Sequence, residues 1–228
     1  MIKVFFMEIE DSPFSGKDRL LLDFVSEKRR DAVMRYKFDI DKKLSLYAAL
    51  LTRFAVCSFI HKSNSELFFK ESAYKKPALA EPVSSIDFNF SHTKNAILLG
   101  ITDEGMIGAD IERLDKNAPL DIMHMVFHHD EIAYINDSLF EKALHFFECW
   151  TRKEAYTKMS GLGLSAEITN INTLAEPVSK YIITKQINGY ICSVSVQSEK
   201  ASSTDNYIQN NTEFINLDPS VLYRFFDV

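Results

Sequence analysis

The amino-acid sequence predicts an α+β protein of two α/β lobes with a cleft between them. Two observations support this fold class. Runs of β-branched and aromatic residues, typical of strands, occur between segments with helical periodicity. Each half of the 228 residues also holds one long helical pattern and several strand patterns. We therefore predict an N-terminal lobe over residues 1–105 and a C-terminal lobe over residues 106–228 that includes a C-terminal tail.

The first half begins with the strand pattern "IKVFFMEI" at residues 2–9. "SEKRRDAVMRY" at 26–36 predicts a helix with Ser26 as its N-cap, and apolar residues at helical spacing predict a longer helix over 41–60. The remaining strands of this half are predicted at residues 66–70, 86–90 and 96–102.

The second half begins with a predicted strand over residues 106–112. A helical stretch near 120–135 precedes a long helix that is expected to end at Gly161, because glycine favours the left-handed conformation after a helix. The dipeptide Asn188–Gly189 predicts a hairpin. Its strands lie at 180–187 and 190–196, residues 198–212 are polar, and a short helix is expected near 218–226.

Composition excludes several classes of protein. A hydrophobic content of 46% and a charged content of 25% are typical of a soluble globular protein. No apolar run approaches the ~20 residues of a membrane-spanning helix, and the first residues do not resemble a signal peptide. The net charge of −6 argues against nucleic-acid binding, and three dispersed cysteines fit a reducing compartment. We expect a cytoplasmic protein with neither membrane nor nucleic-acid partners.

The segment "MIGADIERL" at 106–114 carries two acids inside an apolar strand. Alternate side chains of a strand share a face, so Asp110 and Glu112 should point to the side opposite Ile107, Ala109 and Ile111. Neighbouring carboxylates raise each other's pKa unless a positive group lies close by. That group could be a divalent cation, a lysine or arginine, or the pair could face water.

The long helix of the second half offers further charged groups. Trp150, Glu154 and Lys158 are spaced by four residues and therefore lie near one face. Glu154 could join the two strand acids around Mg²⁺, which prefers oxygen ligands, and Lys158 could bind a phosphate. On spacing alone, the simpler interpretation of an exposed Glu–Lys pair is favoured.

Histidines allow two further hypotheses. Ser91 and His92 end a predicted strand, where adjacent side chains point apart, so a hydrolase pair is disfavoured and a phosphate-contacting or ordinary turn histidine remains. His124 and His128 are four residues apart with Glu131 nearby, which permits a zinc site but lacks an HExxH motif and a clear further ligand.

Basic residues begin the helix at 26–36. Lys28, Arg29 and Arg30 oppose the helix macrodipole unless an anion binds there. The alternative is a solvated helix face.

Three segments together resemble the surfactin-type 4′-phosphopantetheinyl transferases. They are "IGADIE", "WTRKEAYTKMSGLGL" and "FNFSHT", and they match the family patterns G-x-D-x-E, W-x-x-K-E-[AS]-x-x-K-x-x-G-x-G and N-x-S-H-[ST] in order. The resemblance covers most of the chain and implies two similar lobes in one monomer. It also implies transfer of the phosphopantetheine arm of coenzyme A to a serine of an apo acyl or peptidyl carrier protein, with release of adenosine 3′,5′-bisphosphate.

The resemblance assigns roles residue by residue. Its Mg²⁺ ligands are Asp110, Glu112 and Glu154. The coenzyme A contacts that it implies are Lys28, Lys76, Pro77, Ser91, His92, Asp110 and Lys158. A serine hydroxyl needs a carboxylate to take its proton, and we expect Glu154 beside the metal to do so. Glu131, which matches a family acid near the site, is the second candidate.

Three positions depart from the family pattern. Asp31 replaces a phosphate-binding lysine, Lys75 replaces a glycine, and Leu44 replaces an arginine for which Lys42 or Lys43 could substitute. Two alternative functions are a degenerate paralogue that binds coenzyme A or carrier proteins without catalysis, and a different Mg²⁺-dependent phosphotransferase.

Overall fold

The computed structural model describes residues 1–71, 77–138, 140–161, 168–200 and 206–228. Its helices are α1 (Gly16–Leu21), α2 (Glu27–Met34), α3 (Asp39–Ile60), α4 (Met123–Val126), α5 (His129–Asp137), α6 (Lys142–Ser160), α7 (Tyr207–Asn211) and α8 (Ser220–Phe225). Its strands are β1 (Ile2–Glu8), β2 (Phe68–Glu71), β3 (Pro77–Glu81), β4 (Asp87–Thr93), β5 (Ala96–Thr102), β6 (Met106–Arg113), β7 (Ile182–Ile187), β8 (Tyr190–Gln197) and β9 (Thr212–Leu217). The mixture of helices and largely antiparallel sheets confirms the α+β class.

Two sheets form the centre of the molecule. The first has the order β4-β5-β1-β9, in which β9 runs parallel to β1, and the second has the order β6-β8-β7. Strand β1 alternates between two cores: Phe5 and Met7 pack with α3, whereas Val4 and Phe6 pack with β6 and β8. A third core joins α4, α5 and α6. The site described below lies where β4 of the first sheet approaches β6 and α6.

Helix α3 fills the first core because nearly every turn carries large apolar side chains. It is long and apolar enough to cross a membrane by length and composition, but 67% of its most apolar window is buried inside the structure. This burial is the pattern of a helix that packs in a protein core.

Several predicted elements are confirmed with small shifts in their bounds. Ser26 caps α2 by accepting a hydrogen bond from Arg29 N at 3.3 Å. Helix α6 ends at Gly161, whose φ is 72°, and the hairpin turn has positive φ at both Asn188 and Gly189. These positions need the left-handed conformation, which asparagine and glycine adopt readily.

Other elements differ from prediction. The stretch 120–135 is divided into α4 and α5, because His128 adopts an extended conformation and caps α5. Strand β9 was not predicted. Its residues alternate between polar and apolar, but they directly follow a polar segment and lie at the edge of the sheet. It pairs with β1, so the end of the chain joins the first sheet. The boundary between residues 105 and 106 and the cleft between lobes stay predictions.

Candidate active site

Polar side chains of β4 attach this strand to β6. Asp87 and Asn89 accept hydrogen bonds from the backbone N–H groups of Ile107 and Ala109 at 2.8 and 2.9 Å. These side-chain oxygens satisfy the backbone donors of an edge strand, as the carbonyl groups of a neighbouring strand would otherwise do. Strands β4 and β6 are thereby held side by side.

The next two polar residues of β4 reach the acids of β6. Ser91 Oγ donates to Asp110 Oδ1 at 2.9 Å, and Thr93 Oγ1 donates to Glu112 Oε2 at 3.0 Å. The alternate residues Asp87, Asn89, Ser91 and Thr93 of the segment "DFNFSHT" therefore face β6. Sequence reasoning missed this row, although its strict alternation with Phe88, Phe90 and His92 was a visible signal.

Gly108 allows α6 to lie directly on β6. A Cβ atom at this position would overlap Ala155 O and lie 2.5 Å from Met159 N. Any larger residue would have to push helix and strand apart. The glycine therefore sets the distance between the acids of the strand and the charged side chains of α6.

Lys158 lies among the acids. Its Nζ donates to Asp110 Oδ1 at 2.6 Å and to Ser91 Oγ at 3.3 Å, and it lies 3.8 Å from Glu154 Oε2. Burial is the main cause that raises the pKa of Glu112, and the charges of Asp110 and Glu154 raise it further. The structure thus brings together the strand acids, the helix acid and the lysine.

The charge balance of this acid cluster favours a further cation. Burial raises the pKa values of Asp110 and Glu154, although Lys158 acts in the opposite direction on both. Within the described part of the chain, Asp110 Oδ2 is buried without a hydrogen-bond partner. Three ionised carboxylates and one ammonium group leave a net charge of −2. An all-oxygen donor set with this charge and one unsatisfied buried oxygen fits Mg²⁺.

His92 lies beside the cluster on the other face of β4. Desolvation lowers the pKa of its ring, the charge of Lys158 lowers it further, and Asp41 at the start of α3 acts in the opposite direction. The lowered pKa disfavours the charged form of the ring.

Glu131 has a different environment from the one expected. It is fully buried, forms an ion pair with Lys153 at 2.9 Å, and accepts hydrogen bonds from the backbone N–H groups of His128 and Thr173. Both of its oxygens are engaged in these contacts, so neither is available to a substrate hydroxyl. These contacts favour a role of Glu131 in stabilising the fold, and its predicted role in proton transfer stays a prediction.

The sequence disfavoured a zinc site of His124, His128 and Glu131, and the structure does not place these three residues in one cluster. Glu131 belongs to the buried ion pair, and His124 does not lie in the histidine-containing cluster that the structure describes, which consists of His128, His129 and Asp130.

A pocket lies along β4 near the start of α2. Arg29, Arg53, Phe69, Pro77 and Phe90 contribute to its lining. The Arg53 guanidinium lies 4.9 Å from the centre of the Phe69 ring. Sequence reasoning missed this arginine, although it is the single charged residue within 44–60.

The other residues that were considered for binding coenzyme A lie in different environments. Lys28 is exposed in the first turn of α2, and Lys76 lies outside the described residues. Leu44 is buried in the core, while Lys43 is buried against Ser12 and Glu10 O and so cannot substitute for an arginine there. Lys42 binds Asp39 at 2.7 Å.

The fold and the site define an α+β protein with an acidic cluster that fits a divalent cation. The model of the 4′-phosphopantetheinyl transferase superfamily matches residues 106–210, and that described as 4′-phosphopantetheinyl transferase, N-terminal, matches residues 12–102. Together they account for most of the chain. The protein belongs to the 4′-phosphopantetheinyl transferase superfamily, a family of transferase enzymes.

Individual relatives agree with this placement. The chain is 30% identical over 146 residues to 4′-phosphopantetheinyl transferase psf-1 of Bacillus pumilus, which covers 64% of this chain and 61% of that relative. It is 28% identical over 171 residues to the transferase gsp of Aneurinibacillus migulanus, covering 75% and 70%. It is 26% identical over 167 residues to the transferase Sfp of Bacillus subtilis (strain 168), covering 71% and 72%. The match thus spans about three fifths to seven tenths of these relatives.

Proposed function

We propose that this protein transfers the 4′-phosphopantetheine arm of coenzyme A to a serine of an apo carrier protein and releases adenosine 3′,5′-bisphosphate. The observation that carries the proposal is the acid cluster of Asp110, Glu112 and Glu154 with Lys158 between them. Most of its charge is unbalanced by the residues that the structure describes, as expected of a site that binds a cation and phosphates.

The position of the pocket along β4 supports coenzyme A as the substrate. Phe90 lines the pocket, and Ser91, the next residue of the strand, contacts Asp110 and Lys158. Because Phe90 and Ser91 point to opposite faces of β4, a nucleotide held between the basic and aromatic side chains of the pocket would extend its pyrophosphate past the strand to reach Lys158. Arg29 supplies positive charge near the position where Asp31 replaces a lysine.

The metal in this proposal is Mg²⁺, held by Asp110, Glu112 and Glu154. When bound, it supplies Lewis-acid stabilisation of the negative charge on the pyrophosphate. Lys158 provides a fixed positive charge beside the same oxygens, and Ser91 orients both Asp110 and Lys158 through hydrogen bonds.

Glu154 is the proposed proton acceptor. The serine oxygen forms a bond to the phosphorus that carries the pantetheine arm, the P–O bond of the pyrophosphate breaks, and the serine proton passes to Glu154. In the protein without a bound metal, burial raises the pKa of Glu154, and the charge of Lys158 acts in the opposite direction.

The test is direct transfer. The protein is incubated with coenzyme A, Mg²⁺ and an apo carrier protein, and the carrier is weighed by mass spectrometry. We expect a gain equal to one phosphopantetheine group, which disappears when the carrier serine is replaced by alanine. Binding of coenzyme A without any mass gain on acyl or peptidyl carriers would instead favour the non-catalytic paralogue. We further propose that the protein acts as a cytoplasmic monomer.

A further inference from the structure

A second group of ligating side chains lies at the start of α5, outside the acid cluster. His128, His129 and Asp130 offer one ligand atom each, and these atoms all lie within 4.8 Å of one another. His129 Nε2 lies 3.1 Å from Asp130 Oδ1, and His128 Nδ1 lies 3.5 Å from Asp130 Oδ2. From this geometry we infer that the three residues form a binding site for a transition-metal ion such as Zn²⁺, Ni²⁺ or Cu²⁺.

The donor atoms determine which class of metal fits. Two imidazole nitrogens and one carboxylate oxygen suit borderline metals, whereas Mg²⁺ prefers an all-oxygen site. The two candidate metal sites of the protein therefore differ in the class of cation that they favour. Hard cations are expected at Asp110, Glu112 and Glu154, and borderline cations at the start of α5.

The surroundings allow the ligands to close around an ion. The side chain of His129 is 82% exposed and that of Asp130 is 55% exposed, so both can move by the distance that coordination requires. Asn172 Nδ2 donates to Asp130 Oδ2 at 2.8 Å and so orients the carboxylate from outside, as hydrogen-bonding partners commonly do for metal ligands. The exposed side of the site leaves the remaining coordination positions to water.

Two effects oppose binding and limit its strength. The start of a helix carries a partial positive charge. His128 Nδ1 also accepts a long hydrogen bond of 3.3 Å from Asp130 N, which a metal bound to that nitrogen would replace. Because the freed N–H group is exposed to water, this replacement costs little. We therefore expect moderate, micromolar binding rather than the tight binding of a structural zinc site.

The experiment uses the full chain without a histidine tag, freed of metal by dialysis against a chelator. Zn²⁺, Ni²⁺ or Mg²⁺ alone is titrated by calorimetry, and Cu²⁺ binding is followed by electron paramagnetic resonance. We expect one equivalent of Zn²⁺ or Ni²⁺ per chain that Mg²⁺ does not displace, and two nitrogen ligands in the Cu²⁺ spectrum.

Variants separate this site from the others. His129→Ala should weaken Zn²⁺ and Ni²⁺ binding by about tenfold or more, which is about 1.4 kcal/mol. His124→Ala, an exposed histidine of the same region, is the matched control and should change nothing. Glu112→Gln should leave this binding intact and affect only Mg²⁺. Unchanged binding in His129→Ala, equal loss in His124→Ala, or loss in Glu112→Gln would each overturn the inference without bearing on the transfer reaction.

Discussion

Helix α6 carries two ionic groups with opposite properties. On one face, Lys153 and Glu131 form a one-to-one pair that is almost completely buried, with exposed fractions of 1% and 0%. On another face, Lys158 meets three acids, and Asp110 keeps a buried oxygen without a partner among the described residues. The first group is balanced and satisfied, as expected of a structural contact. The second is neither, and this difference supports our proposal that Lys158 and Glu154 carry the chemistry and that Lys153 stabilises the fold.

The largest expected effect falls on the unbalanced group. Asp110→Ala should reduce carrier loading by roughly 10³-fold or more, because metal binding supplies several kcal/mol of stabilisation to the transition state. The fold should survive, which circular dichroism can check. Asp115→Asn is the control, because this acid lies just beyond β6 and its side chain is 46% exposed. Near-normal loading by Asp110→Ala at low Mg²⁺ would show that the acids hold no metal.

Glu154→Gln tests proton transfer on the same face of α6. It keeps the shape of the side chain and one oxygen, but it removes the base. The single-turnover rate should fall by roughly 10²–10⁴-fold. The dissociation constant of coenzyme A should rise only modestly. Retention of most of the rate in this variant would assign the base elsewhere.

Lys153→Met tests the balanced group. It leaves the buried carboxylate of Glu131 without its cation, so the free energy of unfolding in urea should fall by about 3–5 kcal/mol. The double variant with Glu131→Gln should recover part of this loss. The turnover of the folded fraction should change much less than in Glu154→Gln. A stable Lys153→Met protein with abolished turnover would contradict the structural role.

Gly108→Ala should affect both groups at once, because it displaces α6 from β6. The added methyl group overlaps Ala155 O, so we expect a loss of about 1–3 kcal/mol in unfolding free energy. Loading should fall as the acids of the strand and helix separate. Gly16→Ala is a control, since its Cβ would meet no atom within 4 Å. Equal stability of the two variants would contradict the close approach of helix and strand.

The smallest effect concerns the start of α2. Lys28→Ala should weaken coenzyme A by about tenfold through loss of a contact to the 3′-phosphate. Binding of 3′-dephospho-coenzyme A should hardly change. Arg30→Ala, whose side chain pairs with Asp23, provides the comparison. Equal losses of both ligands in Lys28→Ala would place the phosphate elsewhere, for example at Arg29.

Periodicity predicted much of the fold and the acid cluster. Strand alternation placed Asp110 and Glu112 on one face, and helical spacing placed Glu154 one turn before Lys158. Periodicity could not show which of the helical glutamates forms a buried ion pair. Glu131 and Glu154 are both helical glutamates, and only tertiary contacts with Lys153 and Thr173 distinguish them.

Edge strands and long-range contacts also could not be predicted from the sequence. Strand β9 pairs with β1 across most of the chain, and local sequence carries no signal for such a partner. Arg53 faces a pocket because β3 and β4 fold over α3, which its own helical pattern does not reveal.

The most direct test of the two ionic groups is the titration of Mg²⁺ into the protein saturated with coenzyme A. Calorimetry at pH 8, where the buried carboxylates are more fully ionised, should detect one Mg²⁺ per chain in the wild type and in Asp115→Asn. Because burial raises the pKa values of these acids, binding should weaken as the pH falls. Glu112→Gln should weaken Mg²⁺ by about tenfold or more. Equal Mg²⁺ affinity in Glu112→Gln and the wild type would contradict the assignment of chemistry to the unbalanced group.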